Sequence, residues 1–336
     1  MTRPQLVDEA VVRPPETRPS EAREATGARG FDPGRLLFPG LVLAMGAFAV
    51  SAPTWSLAER WGLPKTAEDA LLTALAVAFF YAAIAALERW RPHRRDWARA
   101  QGDLRADALH LALTGPGTSA LFDATLRGAA VGGGAWLATR LGAPIWPTSW
   151  PAPLQLVLAI TVAELGHYAF HRLSHEHPLV WRLHATHHSA PRLYWLNATR
   201  FHPFDLFLLF ACQTTPLLLL GADRAAFLSY VLFSAVYGQL QHCNVEMPTG
   251  RVIDAVLSSP GVHRWHHSRD PREGNHNYAA IVNLWDHLFG SYFRPAERSF
   301  RGPVGIEGAS AFPRGYLGQL ASPFRWKGIE ERSRGA

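Results

Sequence analysis

Apolar residues along the chain are grouped into long runs without charges, and the charged residues lie between the runs. Leu36–Ala58 and Ala70–Leu87 have the roughly 20 apolar residues that a membrane-spanning helix needs. Four further runs are shorter or interrupted by glycine and proline: Ala108–Phe122, Leu141–Ala163 with a helix starting near Pro153, Leu206–Ala222 and Ala225–Val245. A soluble domain could hardly bury so many runs. The pattern therefore predicts an all-α, polytopic membrane protein with four to six membrane helices.

Basic residues between the runs predict the orientation. The loop Arg89–Arg105 holds six arginines, whereas the loop between the first two runs holds only Arg60 and Lys65. Because cytoplasmic loops carry the excess of Lys and Arg, we place the N-terminal arm and Arg89–Arg105 in the cytoplasm. Alternation then brings the helix Pro153–Phe170 to an end on that side. The chain is expected to be an integral, multi-pass membrane protein with its histidine cluster on the cytoplasmic side.

Composition divides the chain into four regions. The first is rich in Pro, Arg and Glu, shows no apolar period and is predicted to be a flexible arm. No apolar segment with a cleavage site follows Met1, so we do not expect a cleaved secretory signal. The last is basic, rich in Gly and Pro, and is expected to be loosely ordered. The regions are the arm 1–35, the N-terminal membrane helices 36–149, a histidine-rich catalytic region 150–296 and the C-terminal tail 297–336.

The histidines are concentrated in the third region. Of 16 histidines, only His93 and His110 lie outside residues 167–287. They occur as HRLSH at 171–175, HATHH at 184–188 and HRWHH at 263–267, and His242 stands at the end of the last long apolar run. Histidines on a solvated surface would not repeat such spacings.

The spacing indicates a site for two metal ions. Residues three or four apart share one face of a helix, and an adjacent residue is turned by about 100°. One HxxHH triple can therefore supply ligands to two ions. Nine imidazoles are too many for one ion and suit a pair. The candidate ligands are His171, His175, His184, His187, His188, His242, His263, His266 and His267.

The other five histidines of this region are not among the nine candidate ligands. His167 lies one turn before His171, and His177 is expected to be a loop residue beside Pro178. Three more are expected either to bind metal or to hydrogen-bond the ligands: His202, His276 and His287.

The residues leave the metal open. Cys212 and Cys243 form no cysteine-rich zinc pattern, and the Glu and ExxH motifs of soluble di-iron proteins are absent. Imidazole suits iron, copper and zinc alike. The site begins where a membrane helix ends, so an apolar substrate could reach it from the bilayer. This position suggests attack on lipid C–H bonds.

The formal charge of +6 could indicate nucleic acid as a partner. The arginines, however, follow the membrane loops, and no aromatic and basic RNA-binding motif is present. We therefore expect no nucleic-acid partner.

At these motifs the chain resembles the fatty acid hydroxylase/sterol desaturase superfamily of membrane di-iron oxygenases. The similarity covers about residues 150–296 and includes NATRFHP at 197–203, HRWHHSRD at 263–270 and NHNYAAIVNLWDHLFGSYFRP at 275–295. It implies that the nine histidines hold two iron ions, which zinc could replace in purified protein. Family members usually have a further ligand or two. The resemblance also suggests roles at or next to the metal site for Glu164, Asn275, Asn277 and Asp286, with the two asparagines hydrogen-bonding ligand rings.

The resemblance implies a lipid hydroxylase or desaturase that uses O2. The lipid substrate would come from the bilayer and could be a fatty acyl chain, a sterol or a related lipid. The haem signature HPGG is absent, so electrons are expected from a separate ferredoxin, cytochrome or reductase. Asn197 begins a glycosylation sequon, which its predicted cytoplasmic side makes an unlikely acceptor.

Two other functions stay open. One is a metal-binding membrane protein without oxygenase activity, such as a transporter or sensor. Transporters place their ligands near the middle of the bilayer, whereas these histidines follow helix ends. The other is a dinuclear zinc or copper enzyme, which metal analysis would distinguish.

Overall fold

The structure is a computed structural model that describes residues 32–54, 64–295 and 299–335. The chain divides after Pro33 into two units, and the second, which begins at Gly34, contains the α-helices of the described part of the chain. The predicted flexible arm lies almost entirely outside the described residues.

Helices make up the fold, and the predicted all-α class is confirmed. Extended pairing in the described part of the chain is limited to isolated bridges. The helices are α1 (Leu37–Ser51), α2 (Lys65–Trp90), α3 (Leu104–Leu109), α4 (Gly115–Phe122), α5 (Gly128–Leu141), α6 (Ala152–Glu176), α7 (Pro178–His188), α8 (Pro203–Leu219), α9 (Arg224–His242), α10 (Gly250–Val256), α11 (Pro260–His266), α12 (Pro271–Gly274), α13 (Leu284–Leu288), α14 (Tyr316–Ala321) and α15 (Trp326–Arg334).

Three helical segments are long and apolar enough to cross a membrane, namely Pro33–Ser51, Ala70–Trp90 and Ala152–Glu176. Helix α8 is apolar but shorter. The structure therefore supports three of the four to six predicted membrane helices in the described part of the chain. The run at Ala108–Phe122 contains the π-helical turn His110–Thr114 between α3 and α4, and a second π-helical turn, Asp123–Arg127, joins α4 to α5.

Proline and short polar side chains set where several helices begin. Pro178, Pro203 and Pro260 each occupy the first position of a helix, where the missing N–H costs nothing. The Asp223 side chain accepts from the backbone N–H of Ala226 and caps α9. Three of these helices, α7, α9 and α11, carry candidate ligands.

Helix α9 lies at the centre of the apolar core. It packs against α1, α2 and α6, and its Phe233, Tyr237 and Leu240 are buried. Its last residue is His242, so the core holds this imidazole at the end of a rigid element. The helix that starts the third predicted region, α6, begins at Ala152, as the sequence predicts.

Buried ion pairs connect the loop after α7 to α3 and the residue before it. Arg192 Nε lies 2.6 Å from Asp103 Oδ2, and Arg200 Nε lies 2.6 Å from Asp107 Oδ1. Asp107 also accepts a hydrogen bond from the hydroxyl of Tyr194 at 2.6 Å. The basic segment Arg89–Arg105 is therefore partly built into the fold, and its partner loop supplies groups to the histidine site.

The C-terminal tail departs from its sequence-based expectation. It was expected to be loosely ordered, but its described residues include α14 and α15, with Trp326 and Ile329 buried. Contacts with residues far away in the sequence supply this order. Gln319, for example, lies 2.8 Å from His110 Nε2 through its side-chain oxygen.

Helices α6 and α8 approach closely at a glycine. A methyl group on Gly166 would lie 2.0 Å from the carbonyl oxygen of Cys212. Glycine therefore allows the backbones to meet, and the meeting brings the start of α8 towards the histidines of α6 and α7.

Replacement of this glycine should destabilise the protein. We expect Gly166→Ala to lower the free energy of unfolding by about 1–3 kcal/mol, because the added methyl group overpacks the helix contact. Thermal unfolding in detergent measures the change. Gly238→Ala is the matched control, because nothing lies within 4 Å of that position. If both variants unfold at the same temperature, the close contact is wrong.

Candidate metal centre

Four helices bring the nine predicted histidines together. His171 and His175 lie near the end of α6, and His242 ends α9. The HATHH triple lies in the last turn of α7. The HRWHH triple lies at the end of α11, and its last histidine follows the helix. The helix spacing places each triple so that its imidazoles project into the same interior.

The nine imidazoles form two groups, and in each group one nitrogen per residue lies within 4.8 Å of all the others. Each HxxHH triple divides between them. Members four apart stay together, while the third member of the triple faces the other group. The five-histidine group is His171, His175, His184, His188 and His266, and the four-histidine group is His187, His242, His263 and His267.

Backbone oxygens orient two rings of the five-histidine group. His171 Nδ1 donates to the Tyr278 carbonyl at 2.7 Å, and His266 Nδ1 donates to the His276 carbonyl at 2.8 Å. A carbonyl can only accept, so the proton is on Nδ1. Each Nε2 is then an unprotonated donor of an electron pair, which is the form that binds metal.

Side-chain oxygens orient two more rings, one in each group. His184 Nδ1 lies 2.9 Å from Asp205 Oδ2, and His242 Nδ1 lies 3.1 Å from Asn197 Oδ1. Both acceptors are buried. A carboxylate on the outer nitrogen raises the basicity of the inner one, and this pairing is common among histidines that bind metal.

The remaining oriented rings follow the same rule. His187 Nδ1 donates to the Arg200 carbonyl at 3.3 Å, and His175 Nδ1 lies 3.1 Å from Asn275 Oδ1. Six of the nine rings thus have an oxygen acceptor on Nδ1.

The inner nitrogens approach one another closely. His171 Nε2 lies 3.1 Å from His184 Nε2, and His263 Nε2 lies 2.9 Å from that of His242 and 3.0 Å from that of His267. Two ligands at right angles around an ion, each about 2.1 Å from it, would be about 3 Å apart. The spacing of the nitrogens therefore fits metal coordination.

Ring nitrogens without a hydrogen-bond partner also fit metal coordination. Three buried Nε2 atoms of the five-histidine group have no hydrogen-bond partner among the described residues: those of His175, His188 and His266. A buried polar atom without a partner is costly, and native proteins rarely keep one without a reason. A metal ion would satisfy all three.

Burial keeps the imidazoles neutral. It lowers the pKa of His242 to about 3, because the charged ring would lose its hydration. The neighbouring imidazoles add to this effect of burial where the rings crowd together. The same cause lowers the pKa well below the usual histidine value for His184, His187, His188, His263, His266 and His267.

A cavity of about 390 Å³ leads to the five-histidine group. Trp181 and the segments around Ser268 and Gly305 line it together with three of the imidazoles. Its walls also include Glu176 and Arg269, so charged groups lie beside apolar ones. It provides a route by which a reactant can reach this group.

The accessory histidines lie outside both groups. His167 bonds to the Gln213 side chain, and its ring centre is 5.2 Å from that of His171. His202 caps α8 by accepting from Phe204 N–H, and its Nε2 donates to the Leu320 carbonyl at 3.1 Å.

Two further histidines have structural contacts. The His276 ring packs against Phe293 at 4.9 Å, and only its carbonyl touches a group member. His287 Nε2 donates to the Ala255 carbonyl at 2.8 Å. Among the described residues, the backbone carbonyl of His276, and not its ring, hydrogen-bonds the five-histidine group.

The predicted acidic residues act through the backbone. Glu164 accepts hydrogen bonds from the N–H groups of Ile281 at 2.8 Å and Val282 at 3.3 Å. These bonds hold the loop before α13 against α6. Asp286 accepts from Tyr278 N–H at 2.9 Å, which holds the carbonyl that orients His171.

One predicted contact is wrong. Asn277 hydrogen-bonds no ligand ring. Its side chain donates to the Phe293 carbonyl and accepts from the Phe293 N–H, both at 2.7 Å. It has a φ of 57°, which asparagine tolerates better than most residues, so it shapes the turn before Tyr278. Asn275 does contact a ring, that of His175.

Asp205 is the functional residue that sequence reasoning missed. It lies three residues beyond His202, in a segment noted only as far as Pro203. A carboxylate in the first turn of an apolar helix was the available signal. Asn197, noted only as a sequon and as part of NATRFHP, is 1% exposed, and its side-chain nitrogen donates to the Arg192 carbonyl, so it cannot carry a glycan.

Comparison with known proteins identifies the family. The sequence model of the family described as "Fatty acid hydroxylase" matches residues 156–291. An ornithine lipid hydroxylase of Rhizobium tropici is 41% identical over 251 residues, which cover 74% of this chain and 75% of the relative. No solved structure matches the chain.

More distant relatives match the histidine-rich region. An alkylglycerol monooxygenase of Danio rerio is 29% identical over 163 residues, or 48% of this chain and 35% of the relative. A Delta(7)-sterol 5(6)-desaturase of Aspergillus fumigatus is 29% identical over 170 residues, or 46% of this chain and 45% of the relative. The chain therefore belongs to the fatty acid hydroxylase family and is an oxidoreductase of the lipid hydroxylase and desaturase type.

Proposed function

We propose that the protein is a membrane-embedded, dinuclear iron hydroxylase that acts on an amphiphilic lipid of the ornithine lipid type, using O2 and electrons from a separate donor. One observation carries the proposal. Nine imidazoles converge in two groups, with six outer nitrogens hydrogen-bonded to oxygen and the inner nitrogens about 3 Å apart where they pair. The family and the named activity of the relative with 41% identity support the lipid as substrate.

The five-histidine group would hold one iron ion and the four-histidine group the other. All nine ligands are neutral, so the pair would keep a high positive charge in a buried site. When bound, the iron pair supplies the redox chemistry by which O2 is reduced and an unactivated C–H bond is oxidised.

The protein side chains contribute orientation and exclusion of water. Asp205 and Asn197 hold the outer nitrogens of His184 and His242, so these rings cannot turn their lone pairs away. The four-histidine group is entirely buried. The cavity at the five-histidine group is the entrance that we assign to the reacting part of the lipid.

The position in the membrane supports this entrance. Helix α6 is apolar enough to span the bilayer, and His171 and His175 lie near its end. We place this end on the cytoplasmic side, because the basic segment Arg89–Arg105 exposes Arg95, Arg99 and Arg105. A lipid in that leaflet could present its polar end to the cavity while its chains remain in the bilayer.

Metal analysis tests the two sites separately. We expect about two iron ions per chain, with about one lost in His266→Ala and the other in His187→Ala, since each removes a ligand from a different group. Elemental analysis of detergent-purified protein gives the counts. His287→Ala is the control, because this ring lies outside both groups. One ion in the parent protein, or two in both variants, would contradict the arrangement; two zinc ions would support the geometry and leave the oxidation chemistry to the lipid assay.

Asp205 should matter for metal affinity through His184. We expect Asp205→Ala to weaken iron binding about 10–100-fold, since partners of ligand rings usually have this effect. Asp205→Asn keeps an acceptor and should lose less. Competition with a chelator measures the affinity, and thermal unfolding checks the fold of both variants. Equal affinities in Ala, Asn and parent proteins would remove Asp205 from this role.

Lipid products test the reaction. Cells that express the protein with isotope-labelled O2 should accumulate a lipid that is heavier by one labelled oxygen atom, and the His266→Ala variant should not produce it. Mass spectrometry of the lipid extract detects the shift. A new double bond without labelled oxygen would instead assign a desaturase. An unchanged lipid profile in iron-loaded membranes supplied with reductant would favour a metal-binding protein without oxygenase activity.

A further inference from the structure

The C-terminal segment Arg314–Lys327 lies outside the part of the chain that matches the family. It is nevertheless fastened to the body of the protein. Gln319 contacts His110, and the Leu320 carbonyl accepts from His202 Nε2 at 3.1 Å. A segment held this firmly presents a fixed outer face.

That outer face combines large apolar and basic side chains. Leu317 is 77% exposed and Phe324 is 78% exposed. Arg314, Arg325 and Lys327 are exposed beside them in the sequence. Water is a poor environment for the first two, and the three cations favour an anionic surface.

The apolar face continues onto a neighbouring helix. Helix α14 packs against α3, and Tyr316 Oη lies 3.3 Å from Thr114 Oγ1. Leu109 at the end of α3 is 41% exposed, and Leu113 in the π-helical turn that follows is 53% exposed. Exposed apolar residues recur from there to the end of α5, as expected for a surface that faces lipid.

We propose that Arg314–Lys327 is a membrane-interface anchor. Leu317 and Phe324 enter the boundary between headgroups and acyl chains, and Arg314, Arg325 and Lys327 contact anionic lipid headgroups. Segments that combine these two kinds of side chain lie in the plane of the interface. The occupant is the bilayer that surrounds the spanning helices, because helix α14, which carries the exposed Leu317, packs against α3, where Leu109 is exposed as well.

The anchor also reaches the metal centre. The Leu320 carbonyl holds His202, which caps α8, and Asp205 in the first turn of α8 orients His184. Contact with the membrane therefore restrains the helix end on which this ligand depends. The proposal goes beyond the lipid oxidation proposed above and requires only that the chain is membrane-embedded.

Depth-dependent fluorescence quenching tests the anchor in the full chain. The background is Cys212→Ala, which leaves only the buried Cys243. A bimane label is attached to Phe324→Cys, to Leu43→Cys as the lipid reference and to Arg272→Cys as the aqueous reference; Leu43 is 73% exposed on α1, and the Arg272 side chain is 87% exposed. Vesicles contain phosphatidylcholine and phosphatidylglycerol.

Spin-labelled lipid should quench the label at Phe324→Cys at least about 2-fold more than the label at Arg272→Cys, with the reverse order for aqueous iodide. Quenching that matches Arg272→Cys would overturn the anchor. Protection from both quenchers would also overturn it, because a protein surface such as a second copy of the chain would then cover the face.

A second measurement tests the basic residues. Omission of phosphatidylglycerol should reduce lipid quenching at Phe324→Cys, and Arg325→Glu with Lys327→Glu should remove this dependence. Arg332→Glu with Arg334→Glu is the matched control, since it changes the net charge equally further along α15. Quenching independent of phosphatidylglycerol would overturn the headgroup contacts. None of these readouts uses metal or activity, so a failure here is distinct from a failure of the proposed function.

Discussion

The fold depends on keeping nine imidazoles neutral and correctly turned in a small buried volume. A protonated ring would lose its hydration and could not give an electron pair to a metal ion, and a flipped ring would turn its lone pair away. Oxygen acceptors behind the rings solve the second problem. The loop after α7 supplies Asn197 and the Arg200 carbonyl, and the loop before α13 supplies Asn275 and the Tyr278 carbonyl. Much of the irregular structure therefore serves to present oxygen atoms at fixed places.

The histidine motifs could be predicted from the sequence, because helical spacing decides which side chains share a face. The spacing also indicated that one HxxHH triple can serve two ions. Which histidines share a group could not be predicted, since it depends on how α7 faces α11. His202 and His287 show a second limit. A histidine that bonds a backbone carbonyl has the same local sequence signals as a ligand, and only the folded chain separates the two. Asp205 shows the opposite limit: it orients the ring of a candidate ligand, yet no spacing in the sequence relates it to His184.

The membrane helices could be predicted from the sequence, whereas the order of the tail could not. Charge-free length predicted α1, α2 and α6, since burial in lipid is a property of one helix at a time. The tail has the composition of a loop, yet it is ordered. Its order comes from Gln319 and Leu320, which meet His110 and His202, more than 100 positions earlier in the chain. Such long-range contacts cannot be inferred from local composition.

The division of each HxxHH triple has a mechanical consequence. Helices α7 and α11 each carry ligands of both groups, so a rotation of either helix about its axis would move both sets of nitrogens at once. The two sites cannot be adjusted independently. Filling one site would hold both helices in the orientation that the other site needs, which lowers the cost of the second binding event. Metal uptake by the parent protein, in which both ligand sets are complete, should accordingly be positively cooperative.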